Sequence, residues 1–176
     1  HDERSLSKYQ KKFQTMIDRV NGAECIGDLG VKSACTYNGI FFILSGVGTT
    51  GSGHETFIKE QLEKTVAKWR ICSWNDLNTL MQVEIKKGKV GLETYDECRK
   101  GGAIIATGMS HTYSRTHLLD NFETQSVAST SNTSQIEKGK TFSFNSGLGG
   151  RGMREQTDEL ASNEWWASVY TKTQNA

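Results

Sequence analysis

Residues 101–115 read GGAIIATGMSHTYSR. An apolar run from Ala103 to Ala106 gives way to Thr107 and Gly108, then His111, Tyr113 and Arg115 fall at alternating positions. Four or five apolar residues bounded by glycines suit a short buried strand. A strand that stops at a glycine and then presents polar side chains is how open α/β sheets bring chemistry to the edge where their strands end. The stretch therefore predicts a strand over 103–107 and a polar loop at its end.

Working outward from it, the segments alternate. Residues 7–20 place Tyr9, Phe13, Met16, Ile17 and Val20 at helical spacing. Ile40-Phe41-Phe42-Ile43-Leu44 is a continuous apolar run and predicts a central strand buried on both faces. The loop GVGTTGSG follows, then a helix over 55–68 with Phe57, Ile58, Leu62, Val66 and Ala67 on one face. WRICSW at 69–74 predicts a second strand, residues 90–100 a second helix stopped by Gly101-Gly102, and 103–107 a third strand. Short β-prone stretches at 125–133 and 140–144 precede the glycine-rich SGLGGRG of 146–152. Strands alternating with helices, then a β-rich end, predict one α/β domain over 1–176 with a mixed sheet and an antiparallel end.

Composition narrows the function classes. There are 176 residues, 21 basic and 20 acidic, for a net charge of +1. No basic face stands out, which argues against nucleic acid as a partner. The apolar run at 40–44 is too short to cross a bilayer. Proline is absent, where average usage would give roughly nine. Cys25 and Cys35 flank the turn-like Gly27-Asp28-Leu29-Gly30, and a disulfide across it is one reading. Cys72 and Cys98, on a strand and a helix, either pair or stay as two buried thiols. Four cysteines and the sequon Asn132-Thr133-Ser134 suit an extracellular or secreted protein.

Three landmarks, in order, give the chain a resemblance to the calcineurin-like metallophosphoesterases, in particular the purple-acid-phosphatase-like branch. His1-Asp2-Glu3 is similar to the end of that family's G-N-H-[DE] motif. The strand WRICSW stands where a family strand ends in a metal-binding histidine. Gly108-Met109-Ser110-His111 is similar to G-H-x-H and continues with Tyr113 and Arg115. The resemblance implies that this chain is the C-terminal half of a layered α/β/β/α sandwich. The other half would carry the D-x-H and G-D-x-x-[YN] motifs, which this sequence lacks.

That family clamps a phosphate ester between two metal ions, Fe, Zn or Mn, held by imidazole and oxygen ligands. Carried over by position, His1 is the leaving-group histidine, Asn75 stands at the strand-end metal histidine, Met109 at the first histidine of G-H-x-H, and His111 at the second, a metal ligand. Arg115 is a candidate for binding the anionic substrate. Neutral amide and soft thioether are poor substitutes for imidazole toward these metals. The resemblance thus implies a relative of the phosphoric ester hydrolases that is inactive as this chain. A non-catalytic extracellular binding or assembly protein on the same scaffold is the alternative, its partner being another protein or the missing half.

Overall fold

The computed structural model describes residues 6–150 and 152–175. The chain begins with helix α1 (Leu6–Ile17) and a hairpin of β1 (Glu24–Asp28) and β2 (Lys32–Tyr37). Then come β3 (Ile40–Ser45), α2 (His54–Lys64), β4 (Trp69–Trp74), α3 (Leu92–Lys100) and β5 (Ile104–Thr107). The remainder is β6 (Tyr113–Thr116), β7 (Leu118–Asn121), β8 (Ser126–Ser129), β9 (Ser143–Ser146), the single turn α4 (Asp158–Ala161) and β10 (Trp166–Tyr170).

Among the described residues, eight strands form one sheet in the order β1-β2-β3-β4-β5-β9-β6-β10, and β7 pairs with β8 apart from it. Strands β3, β4, β5 and β9 are mutually parallel, whereas both flanks of the sheet are antiparallel. The fold is thus the expected mixed α/β sheet with an antiparallel end. Parallel neighbours require crossovers, and α2 and α3 supply them between β3, β4 and β5.

Those helices cover one face of the sheet. The cross-sheet row Ala34, Ile43, Cys72 and Ile105 points toward them and is buried. Ile58 and Leu62 of α2 and Tyr95 and Cys98 of α3 fill the space beneath. Cys98 is disulfide-bonded to Cys72, which ties α3 to the centre of the sheet. Tyr95 stands edge-on to Trp74, with ring centroids 5.0 Å apart.

The opposite face differs from expectation. Its row Cys35, Phe42, Ile71 and Ile104 is continuous across four strands, yet Phe42, Ile71 and Ile104 are only half-buried and Leu44 is exposed. Strand β3 is therefore buried on one face, not both. Helix α1 lies over that side at the β1–β2 end, where Phe13 and Ile17 line a cavity with Cys35 and Leu44. The second helix also ends early: Thr65 turns extended at φ −77° and ψ 138°, and Val66 is 98% exposed rather than on the buried stripe. The β-branched pair Thr65-Val66 favours extended backbone over another helical turn. The last of the β-prone stretches forms its strand three residues later than read, at β9.

Candidate functional site

Because β3, β4, β5 and β9 run parallel, their C-terminal ends open on the same edge of the sheet. Register fixes the levels: Ser45 lies opposite Trp74, Ser73 opposite Ala106, and Thr107 opposite Asn145. Asn75 and Gly108 each follow directly on the end of their strand, β4 and β5, and paired strands run about 4.8 Å apart. The loops after β3, β4, β5 and β9 converge there, where open α/β sheets bind ligands.

The loop after β5 is held in shape by one side chain. Asn145, buried in β9, donates from Nδ2 to the carbonyls of Ser110 at 3.0 Å and Thr112 at 2.7 Å. Its Oδ1 accepts from the Ser110 N–H at 3.3 Å. The hydroxyls of Ser110 and Thr112 pair at 2.8 Å. Gly147 closes the arrangement: a Cβ there would collide with the carbonyl oxygens of Ser110 and Gly108. These contacts set Met109 and His111, both half-buried, on the rim of the sheet.

On the neighbouring strand Asn75 is exposed and the next residue, Asp76, is buried. The Asp76 carboxylate is committed to the backbone, its Oδ1 accepting from Leu77 N at 2.8 Å and Lys89 N at 3.4 Å. Gly48, with φ at +78°, lets the loop after β3 pack directly on Asp76. At the start of α2, directly after that loop, His54 is buried with both ring nitrogens used. Nε2 lies 3.0 Å from the Thr50 carbonyl, which can only accept, so Nε2 carries the proton. Nδ1 then accepts from the Ser45 hydroxyl at 3.0 Å. His54 is a staple for the glycine-rich loop.

A second tie crosses the rim. The Arg154 backbone N–H donates to the His111 carbonyl at 3.0 Å, and its guanidinium reaches Glu84 Oε1 at 3.4 Å. Glu84 is 2% exposed, and among the described residues its Oε2 has no partner.

The candidate residues divide accordingly. Asn75, Met109 and His111 are brought to one edge. Arg115 is not: it lies two residues along β6 from Tyr113, opposite Phe144, with its guanidinium 6.0 Å from the Phe142 ring centroid. Cys25 and Cys35 are direct cross-strand partners joined by a disulfide. Asn132 is exposed in the loop between β8 and β9. His1 lies outside the described residues. Among the described residues no three His, Cys, Asp or Glu side chains converge as metal ligands. At the edge itself His111 offers imidazole, Asn75 a neutral amide and Met109 a thioether, a donor set that does not fit a pair of hard metal ions.

No family model and no curated protein sequence matches the chain. Solved structures do. The structure of purple acid phosphatase PPD1 from yellow lupin (Lupinus luteus) seeds matches 78% of the chain with a TM-score of 0.60 at 15% identity. The structure of PhoD matches 94% with a TM-score of 0.53 at 12% identity. The fold is metallophosphoesterase-like. This chain spans 26% of the length of the first of those proteins and 39% of the second. Asn145, Asp76, His54 and Arg154, which shape the strand-end edge, were not singled out in sequence as its supports. The alternation Ser143-Phe144-Asn145 before Gly147 was the available signal for Asn145, since it puts a polar side chain on the inward face.

Proposed function

We propose that the chain is part of a metallophosphoesterase-like sandwich that keeps the scaffold of a phosphoric ester hydrolase but is not a working phosphatase as this chain. The observation that carries this is the donor set at the strand ends: a well-fixed edge that presents Asn75 and Met109, at positions for which the motif resemblance implies imidazole ligands. An amide oxygen binds these ions weakly, and a thioether is too soft for them. Adding the D-x-H and G-D-x-x-[YN] motifs from another half would leave both positions unchanged.

The uncovered sheet face supports the reading as a partial domain. Phe42, Ile71, Ile104 and Phe144 form a half-buried apolar surface on the side where a second sheet layer would pack. An extracellular setting is supported by two disulfides and the exposed Asn132 sequon. No helix among the described residues is long and apolar enough to cross a membrane.

The test is elemental analysis of the purified chain together with turnover of a generic phosphomonoester, on wild type and on Asn75→His/Met109→His. Wild type is expected to retain no stoichiometric Fe, Zn or Mn and to show no turnover above solvent. Bound metal with turnover in the wild-type chain would overturn the proposal.

A further inference from the structure

Helix α1 is the least committed element of the fold. It has twelve residues, none of them buried. Its charged side chains are Lys8, Lys11 and Lys12, and no acid occurs between Leu6 and Ile17. A last turn carries Asp18, Arg19 and Val20, with Asp18 N bonded to Gln14 O at 2.9 Å and Val20 N to Ile17 O at 2.9 Å.

Helical geometry sorts these residues into three stripes. Leu6, Gln10, Phe13 and Ile17 turn toward the sheet and are half-buried. Tyr9, Met16 and Val20 form the next stripe and are 50%, 58% and 41% exposed. Lys8, Lys12 and Arg19 form the stripe beside that one. Lys8, Lys11, Lys12 and Arg19 make no hydrogen bond or ion pair with any described residue through their side chains. The one acid of the last turn, Asp18, lies away from the apolar stripe and accepts from Gln14 Nε2 at 2.8 Å.

The attachment of α1 to the sheet is slight. Leu6 rests on Gly30, and Gln10 Nε2 donates to Asp28 Oδ1 at 2.7 Å. Beneath the rest of the helix lies an apolar cavity of about 440 Å³, bounded by Phe13, Met16, Ile17 and Val20 above and by Cys35 and Leu44 below. Much of the apolar surface of α1 is thus unspent among the described residues, and it sits next to cations that have no side-chain partner among them.

We propose that α1 is an interfacial helix that docks on an anionic lipid surface. Tyr9, Met16 and Val20 enter the boundary between headgroups and acyl chains, while Lys8, Lys12 and Arg19 meet lipid phosphates and carboxylates. An exposed apolar stripe flanked by cations and free of acids is the pattern that such surfaces select. The inference does not rest on the phosphoesterase reading, because it uses none of the strand-end residues.

The test is co-sedimentation of the chain with phosphatidylcholine vesicles, with and without phosphatidylserine. Binding is expected only when phosphatidylserine is present, and it should weaken as salt is raised. Each of Lys8→Gln, Lys12→Gln and Arg19→Gln is expected to weaken binding about fivefold, and the three together on the order of a hundredfold. Tyr9→Ser/Met16→Ser should weaken it at constant charge. The charge-matched variant Lys59→Gln/Lys68→Gln/Lys87→Gln, remote from α1, should bind like wild type. Circular dichroism of each variant checks that the fold is retained. Equal binding to both vesicle types, binding to neither, or equal loss in the remote variant would overturn the proposal. So would a concentration-dependent dimer, abolished by Met16→Ser, without vesicle binding.

Discussion

Replacing Asn145 by alanine should be among the most damaging single changes available at the strand-end edge. Three hydrogen bonds vanish together. The Thr112 carbonyl keeps a partner, because it also accepts from Gly147 N at 3.2 Å. The Ser110 N–H and carbonyl, which are buried, keep none among the described residues. A stranded buried backbone group costs roughly 1–3 kcal/mol, and the third bond is worth about 1 kcal/mol net. The expected loss is therefore about 5 kcal/mol, a large share of the roughly 5–15 kcal/mol that holds a domain together. Asn145→Asp carries a further signature. The new carboxyl retains the bond from Ser110 N–H but faces two carbonyl oxygens with no proton to offer when ionised. Burial and those oxygens raise its folded pKa above its unfolded value of about 3.9. Its charge penalty is then absent below that pH and grows as pH rises. Urea unfolding followed by fluorescence of the four tryptophans measures both effects. The reasoning fails if Asn145→Ala lies within about 1 kcal/mol of wild type at unchanged m-value. It also fails if the stability gap between Asn145→Asp and wild type widens as the medium is acidified from neutrality toward pH of about 4.

Two further outcomes bear on the core. Burial pushes the Tyr95 phenol well above the ordinary tyrosine range, against the lowering effect of the bond it accepts from Asn78 N at 3.2 Å. Stability from keeping this phenol neutral is present below the unfolded pKa of about 10 and is lost as pH rises through the folded value. Alkaline ultraviolet titration should show a tyrosine that ionises only as the near-ultraviolet circular dichroism collapses, and Tyr95→Phe should remove that step at a cost of about 1 kcal/mol. The two disulfides should differ in worth. Cys72–Cys98 spans 26 residues and Cys25–Cys35 spans 10, which chain entropy converts to about 3.5 and 2.7 kcal/mol. The Cys72→Ala/Cys98→Ala pair should therefore lower the urea midpoint more than Cys25→Ala/Cys35→Ala, with the reverse order refuting the account.

The elements that were legible in the sequence are those whose burial repeats within one segment. Ile40-Phe41-Phe42-Ile43-Leu44 and Trp69–Trp74 are dense enough in apolar and β-branched residues to announce strands alone. The hairpin β1–β2 was not read, because Glu24–Asp28 is mostly exposed and gains its strand geometry from pairing with β2. Strands β6 and β10 escaped for the same reason: Tyr113–Thr116 alternates polar with polar, and Ser114 and Thr116 are buried only by what packs on them. Helix α2 was read too long because Val66 continues the apolar period while the backbone leaves the helix.

By itself, the sequence determined the alternation of strands and helices, the glycine that ends β5, and the chemical types at positions 75, 109 and 111. Those are local facts: apolar spacing, backbone freedom and donor hardness need no partner to be evaluated. Only the tertiary structure decided that Asn75, Met109 and His111 share an edge, that Asn145 shapes their loop, and that Arg115 lies down the strand beside Phe142. It also decided that one face of the sheet and one stripe of α1 remain without a covering layer among the described residues. These are relations between segments far apart in the chain, set by parallel register and by which surfaces find a neighbour, and no single segment encodes them.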